Sequence, residues 1–363
     1  MAPGSAASLE ILNQSADLFY RREIARSYQI KPDNVNLITT DEFDSGASRF
    51  LFGFTDETPP TGFTPSFVKL AKEERYKRQL EREVKSMELA HDLGIHTIDI
   101  HNGYFETPLG FGIIRLRRLD AGDGYFLAND ELIAAADNDL HFGQRAAKLI
   151  ASSVGKIIPP ERKSDFLIRG QKRIDSENTF WEVWDQENSI VLDSKHNGYR
   201  NKLIPSQNLQ NILANTKEDL HPLVKYGVSE NEYFVHNDTS PSNCFFTNGN
   251  SQGLSDILLD FEQAAATHNL VLATLIDLGD FYNRSWANPA MQQEYMSFLM
   301  SELTQYSPEE RYKIIRGAAV FGTMNASQYY MDENNNRHNK AVGLLQNLES
   351  NLSAFDDFYN KTK

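Results

Sequence analysis

The residues best suited to chemistry lie together in Tyr233-Phe234-Val235-His236-Asn237-Asp238-Thr239-Ser240-Pro241-Ser242-Asn243-Cys244-Phe245-Phe246. Seventeen residues after Asn243 comes a second acid, in Ile257-Leu258-Leu259-Asp260-Phe261-Glu262. The spacing H-x-D-x-x-x-x-N followed by D-F-x serves phosphoryl transfer, and each residue type answers a need of that reaction. Asp238 can accept the proton of an attacking hydroxyl. Asn243 and Asp260 offer oxygen atoms to Mg²⁺, a hard cation that prefers them. His236 can fix the loop that aims Asp238. As a bare segment, Asn-Asp-Thr-Ser-Pro-Ser-Asn is also good turn chemistry. The second acid at a set distance, inside an apolar-Asp-Phe run, favours the chemical reading.

The elements that must position these groups flank them. Tyr233 to Val235 and Ile257 to Leu259 read as short buried strands, expected to form a hairpin that sets the acids at strand ends. Cys244, the single cysteine, falls in a predicted buried strand, where packing suits it better than nucleophilic chemistry. One cysteine excludes an internal disulfide and a multi-cysteine zinc site and suits a reducing cytoplasm.

The motif resembles that of the aminoglycoside phosphotransferase and choline kinase superfamily, small-molecule kinases whose usual form is H-G-D-x-x-x-x-N and then D-W or D-F. Asn237 stands where Gly is commonest; Asn tolerates left-handed backbone angles better than most residues. Asp277-Leu278-Gly279 is similar to the family's D-L-A segment, whose Asp braces the catalytic loop from a helix. The resemblance implies an α+β, bilobal protein-kinase-like fold, with a small mixed-sheet N-lobe over residues 1–118 and a larger helical C-lobe over 119–363. It implies ATP or another nucleoside triphosphate and Mg²⁺ as cofactors. Asp238 becomes the catalytic base, and Asn243 and Asp260 the metal ligands.

An N-terminal lobe of that kind needs a strand lysine and a helix glutamate. Phe67-Val68-Lys69-Leu70 reads as a strand carrying one lysine. In the charged stretch Lys72 to Leu93, the residues Leu80, Val84, Met87, Ala90 and His91 recur at helical spacing, and Gly94 closes it as a C-cap. Lys69 is the phosphate-binding candidate. Glu83 is its partner, since it precedes Gly94-Ile95 as in the family's E-x-x-x-L-x-x-L-x-x-x-G pattern; Glu81 and Glu88 are the fallbacks. The abundance of charge on this helix has an ordinary reading too, as a solvated face.

Asn36 to Asp41 and Arg49 to Thr55 read as two further strands. The turn between them, with Ser45, Gly46, Ala47 and Ser48, resembles the family's short phosphate-covering loop, whose backbone N–H groups can cradle phosphate. Gly110-Phe111-Gly112 lacks the third glycine of a dinucleotide fingerprint. Gly112 to Leu116 reads as a strand, and Arg117 to Gly122 resembles the inter-lobe segment, with Arg117 replacing the usual acid. Backbone groups near Arg117 and Leu119 would hydrogen-bond an adenine edge. His96 and His101 read as structural, not as a metal pair.

Of 363 residues, 50 are acidic and 36 basic, for a formal charge of −14. That argues against a broad nucleic-acid footprint and suits a cationic small-molecule hydroxyl acceptor. No apolar run approaches a membrane span, and the first residues lack the pattern of a signal peptide. A cytoplasmic enzyme that makes no membrane contact is the expectation.

Between Gly122 and Glu232, Leu132 to Val154 and Gln207 to Leu220 read as helices. Phe180, Trp181 and Trp184, interspersed with acids, suit either a cation-binding wall or the core of an inserted helix. Leu270 to Asn283, Met291 to Tyr306 and Pro308 to Tyr330 read as helices, followed by a polar loop and a final helix. Two rivals stand beside the small-molecule kinase. A protein kinase is disfavoured by Glu262 in place of the Gly of D-F-G and by the short distance from Asp260 to Asp277. A silent nucleotide-binding interaction module is disfavoured by the presence of every chemical residue.

Overall fold

In a computed structural model the protein is described over residues 18–27, 31–38, 50–55, 66–117, 125–127, 141–166, 180–185, 207–247, 255–285, 288–331 and 338–363. It divides into two compact units, Met1–Glu88 with Ile98–Asp123, and Leu89–Thr97 with Gly124–Lys363.

Among its described residues, the first unit is an antiparallel five-stranded sheet with two α-helices. Helix α1 covers residues 18–27. Strands β1 (Val35–Ile38), β2 (Phe50–Thr55) and β3 (Ser66–Ala71) precede helix α2 (Glu74–Asp92), and β4 (Ile100–Glu106) and β5 (Gly112–Arg117) follow it. The order is β1-β2-β3-β5-β4, so β3 lies in the middle. Successive side chains on a strand point to opposite faces. Val68 and Leu70 therefore share one face, and they form a core with Ile24, Ala25, Val35 and Ile113. Lys69 points the other way.

Leu80, Val84, Met87 and Ala90 are buried on α2, as their spacing predicts, whereas His91 is exposed. The apolar stripe continues instead to Ile95, beyond the turn at Gly94, whose φ of 73° only glycine adopts readily.

The second unit holds two small sheets and a set of helices. Strand β6 (Tyr125–Leu127) and helix α3 (Phe142–Ala151) come first, then a helical turn at 180–185 and α4 (Gln207–Tyr226). Strands β7 (Val228–Val235), β8 (Cys244–Thr247), β9 (Ile257–Leu258) and β10 (Ala265–Asn269) lead into α5 (Leu270–Arg284), α6 (Pro289–Glu302), α7 (Pro308–Met331) and α8 (His338–Thr362).

The two apolar runs around the motif are strands, but they do not pair with each other. β7 pairs with β10, with Val235 opposite Ala265, while β9 pairs with β8, with Leu258 opposite Cys244. Asn237, at φ 63°, turns the chain out of the line of β7, so the strand that meets 257–258 is the one after Asn243.

Helix α4 runs past the expected end at Leu220, with Pro222 inside it, because Leu220 and Val224 are both fully buried. Helix α6 ends at Glu302, short of Tyr306. Phe180 and Trp184 are almost completely buried and pack on Phe321 of α7, with ring centroids 5.2 and 6.2 Å away. The aromatic cluster is core, not a binding wall. Among the described residues, no helix is long and apolar enough to cross a membrane.

Helix α5 is buried on nearly every side from Val271 to Gly279, as a helix apolar all round must be. It packs along α7 through a contact of bare backbone. A Cβ on Gly322 would lie 2.0 Å from the Gly279 carbonyl oxygen. The atoms nearest a Cβ on Gly317 would be those of the Leu220 side chain, the first at 2.6 Å. Gly322→Ala should therefore destabilise the protein by about 1–3 kcal/mol or more, and Gly317→Ala, which a rotamer change can relieve, by less. Chemical denaturation of both variants checks this; equal losses would show that the Gly279–Gly322 contact does not fix the helix.

Candidate active site

The motif loop begins at His236, directly after β7, and is built from buried hydrogen bonds. Asn269 sets the register of the helix behind it. Its side chain accepts from the Val271 and Leu272 N–H groups at 3.0 and 3.1 Å, capping α5, and donates to the Val224 carbonyl at 2.6 Å. Two turns further along α5 comes Asp277, which is fully buried. Its Oδ1 accepts the Asn237 N–H at 2.8 Å and its Oδ2 the His236 N–H at 3.1 Å. The Thr239 hydroxyl donates to the Asp277 carbonyl oxygen. Burial pushes the Asp277 carboxyl up to about 7, against the opposing pull of its two N–H donors.

His236, also fully buried, joins the two halves of the motif. Its Nε2 lies 2.8 Å from the Leu259 carbonyl oxygen, and the Asp238 N–H donates to its Nδ1 at 3.3 Å. These partners require the neutral Nε2–H tautomer. Burial, which lowers the imidazole pKa, acts in the same direction. Phe261 lies edge-on to the ring at 4.5 Å. The Leu259 N–H donates to the Asn243 carbonyl at 2.8 Å. The strand end bearing Asp260 is thus stitched to the loop bearing Asp238 and Asn243.

Asn243 is buried, and its Nδ2 donates to the Asp238 carbonyl at 2.9 Å, which fixes the orientation of the amide and so of Oδ1. Asp260, at φ 57°, sits in the left-handed region that non-glycine residues seldom occupy. Asn243 Oδ1 and the Asp260 carboxylate are both hard oxygen donors, the kind Mg²⁺ takes. Cys244 is buried behind the loop, and burial raises its thiol pKa, which excludes a thiolate nucleophile.

In the first unit Lys69 Nζ lies 2.7 Å from Glu83 Oε1, with side-chain exposures of 10% and 1%. Glu83 occupies the buried stripe of α2 between Leu80 and Val84, where an acid requires a partner. The fallbacks lie elsewhere: Glu81 meets Lys85 on the surface, and Glu88 is exposed. Arg117 donates its N–H to the Asp99 carbonyl at 2.9 Å and Nη1 to the Asp99 carboxylate at 3.3 Å. A ligand edge at Arg117 would have to use its carbonyl. Ser45, Gly46, Ala47, Ser48 and Leu119 lie outside the described residues. From His101, the ring proton affinity is lowered chiefly by burial, consistent with a structural role.

One further acid escaped sequence reasoning. Asp280, one turn beyond Asp277, has its carboxyl pushed up to about 7, by burial first and then by the Asp238 charge, and its Oδ2 is buried with no hydrogen-bond partner among the described residues. The signal was present as Asp-x-x-Asp in 277–280, a spacing that places both acids on one helix face.

No family model matches the chain, and no curated protein matches it. Solved structures do. Plasmodium vivax ethanolamine kinase superposes with a TM-score of 0.51 at 13% identity, over 96% of this chain and 89% of the other. The GDP complex of wild-type aminoglycoside 2'-phosphotransferase-IIIa gives 0.53 at 13% identity, over 92% and 99%. The GDP and kanamycin complex of APH(2")-IIia gives 0.54 at 13%, again over 92% and 99%. The chain therefore has an α+β, protein-kinase-like fold. Within that fold it is similar to small-molecule kinase structures. Between Asp260 and Asp277 there is only a 3-10 turn, Phe261–Gln263, and then β10, which runs directly into α5. No long peptide-docking segment fits there.

At about pH 8, above its raised pKa, the ionised Asp277 should be a two-armed acceptor that Asn cannot imitate, since one arm would present an N–H to an N–H. Asp277→Asn should cost roughly 2–3 kcal/mol of stability, as for a hydrogen bond to a buried charge. Urea denaturation measures it. A wild-type midpoint in the variant would show that the loop is held by something else.

Proposed function

We propose that the protein is a phosphotransferase that moves the γ-phosphoryl group of ATP, or another nucleoside triphosphate, to a hydroxyl of a small molecule. The observation that carries this reading is the stitched loop. A carboxylate, an amide oxygen and a second carboxylate, all of the types phosphoryl transfer uses, lie on segments fixed to one another through His236, Leu259 and Asn243. The likeness to the ethanolamine kinase and to the two aminoglycoside phosphotransferase complexes supports a small-molecule acceptor. The names of those proteins and the excess of acid here favour an acceptor that carries positive charge.

Asp238 takes the proton of the acceptor hydroxyl or orients that hydroxyl for attack. Asn243 and Asp260 hold Mg²⁺, which when bound neutralises charge on the phosphates. Lys69, oriented by Glu83, grips the phosphates. The resemblance assigns the cover over them to Ser45, Gly46, Ala47 and Ser48, and the hold on the base to backbone groups near Arg117 and Leu119. Positioning and charge neutralisation do most of the catalytic work.

Screening amino alcohols, aminoglycosides and sugars with ATP and Mg²⁺ tests the activity. Asp238→Asn should lower turnover by at least about a hundredfold and leave ATP binding within a few-fold. A collapse of nucleotide affinity alongside turnover would make Asp238 a metal ligand or a structural post.

Lys69→Ala should raise the KM for ATP or lower kcat by at least about tenfold, the worth of one charge-assisted hydrogen bond. Lys72, whose Nζ lies 4.2 Å above the Tyr20 ring, serves as the control, and Lys72→Ala should do little. Equal effects from both would mean that general positive charge is being measured.

A further inference from the structure

Asn243 and Asp260 stand at one end of the β8–β9 hairpin, and very little ladder joins its strands. β9 is two residues long and meets β8 in two pairs, Cys244 with Leu258 and Phe245 with Ile257. A two-stranded hairpin is marginal on its own. Slippage by one residue would move one strand about 3.3 Å past the other and turn its side chains to the opposite face. β6 pairs with the other edge of β8, and the Leu258 N–H donates to the His96 carbonyl, but neither contact joins β8 to β9. At the near end the two strands are joined by the Leu259 N–H, which donates to the Asn243 carbonyl at 2.8 Å.

The far end of the hairpin carries a polar clamp. Thr247 lies four residues after Asn243, and Asp256 four residues before Asp260. The Thr247 N–H donates to Asp256 Oδ1 at 2.9 Å. Arg145 of α3 reaches both strands. Its Nε donates to Asp256 Oδ2 at 2.9 Å and its Nη2 to Asp256 Oδ1. The same Nη2 donates to the Thr247 carbonyl at 2.7 Å and to the Thr247 hydroxyl at 3.0 Å. A guanidinium suits this task, because its planar fork grips a carboxylate through two parallel bonds. The helix that presents it is itself fixed. Glu294 of α6 accepts the Gly143 N–H at 3.0 Å, and a Cβ on Gly143 would lie 2.5 Å from the Met291 carbonyl oxygen. Phe142 packs on the Phe246 ring of β8 at 5.4 Å, and the Arg145 guanidinium lies 5.1 Å from the same ring. Arg145 and Asp256 are only 20% and 18% exposed. Ion pairs withdrawn from water add little stability over an apolar pair, and their best-attested use is to fix register.

We propose that Arg145 is a positioning residue: it locks Thr247 to Asp256, fixes β8 against β9, and so holds Asn243 and Asp260 in the register that Mg²⁺ binding requires. This rests on the reading of those two residues as Mg²⁺ ligands. The clamp touches neither ligand and acts along the strands that carry them.

Arg145→Lys keeps the charge and loses the fork. The first readout needs neither metal nor substrate. Hydrogen exchange at the Leu259 N–H, well below the melting temperature, should be at least about tenfold faster in Arg145→Lys. The control is Arg316 of α7, which donates to the Thr216 hydroxyl of α4 at 2.8 Å and pairs with Asp356 of α8. Arg316→Lys should leave Leu259 exchange within about twofold of wild type. The second readout is Mn²⁺, which takes carboxylate and carbonyl oxygens as Mg²⁺ does, titrated with a non-hydrolysable ATP analogue and followed by electron paramagnetic resonance. Its Kd should rise at least about fivefold in Arg145→Lys, approaching the tenfold or more typical of losing a direct partner of a ligand, and stay within about twofold in Arg316→Lys.

If Leu259 exchanges as in the wild type, the clamp does not pin the hairpin. If Leu259 exchanges faster while Mn²⁺ affinity holds, the clamp serves stability alone. Either result overturns the inference. Should Arg145→Lys fail to fold, Asp256→Asn, which keeps an oxygen for the Thr247 N–H and breaks one arm of the fork, gives the same two readouts. If the wild type binds no Mn²⁺ with nucleotide, the ligand reading falls on its own, and exchange at Leu259 still decides whether Arg145 fixes the register.

Discussion

The second unit depends on one buried carboxylate. Asp277 accepts the N–H groups of His236 and Asn237, two donors that a loop leaving a strand cannot satisfy with a neighbouring strand. Unpaired inside the protein, each would cost on the order of 1–3 kcal/mol. Satisfied by one rigid acceptor, they fix the point where the chain leaves β7. Everything downstream inherits that geometry: the left-handed Asn237, the direction of Asp238, and the path that brings Cys244–Thr247 onto Ile257–Leu258. The helix carrying Asp277 is held in turn by the Asn269 cap and by the backbone contact of Gly279 with Gly322. Precision at the loop thus originates in helix packing well away from it.

A similar logic operates in the first unit. A lysine on the face of β3 opposite the apolar core and a glutamate on the apolar stripe of α2 each carry a desolvation penalty that the other offsets. Neither charge is a good choice for stability alone at 10% and 1% exposure. Replacing a buried ion pair by a hydrophobic pair is often neutral for stability, so removing one partner alone is the costly change.

The site combines groups whose environments drive them apart. His236 is kept neutral by burial. Asp277 is pushed up yet pinned by donors, and Asp280 is pushed up with one oxygen lacking any donor among the described residues. Carboxyl groups on one helix face therefore differ: the first holds the backbone of the loop, and the second keeps one oxygen buried without a donor among the described residues.

Much of this was legible in residue order. The spacing of His236, Asp238, Asn243 and Asp260 pointed to one loop and the strand end stitched to it, because local loops fix such separations. Lys69 and Glu83 could be chosen because strand and helix periodicities are local properties. The identity of strand partners was not legible: the runs before His236 and before Asp260 look alike, and only the left-handed turn at Asn237 sends them into different sheets. The burial of Trp184 against Phe321 was equally hidden, since an aromatic-acid cluster reads the same whether it lines a pocket or fills a core. Asp280 was visible only as one more acid on a helix. What distinguishes it is the burial of its Oδ2, and burial of that kind is set by packing, not by any local preference of the chain. The sequence by itself determined which groups could do chemistry; the tertiary structure decided which of them meet and which are shut away from water.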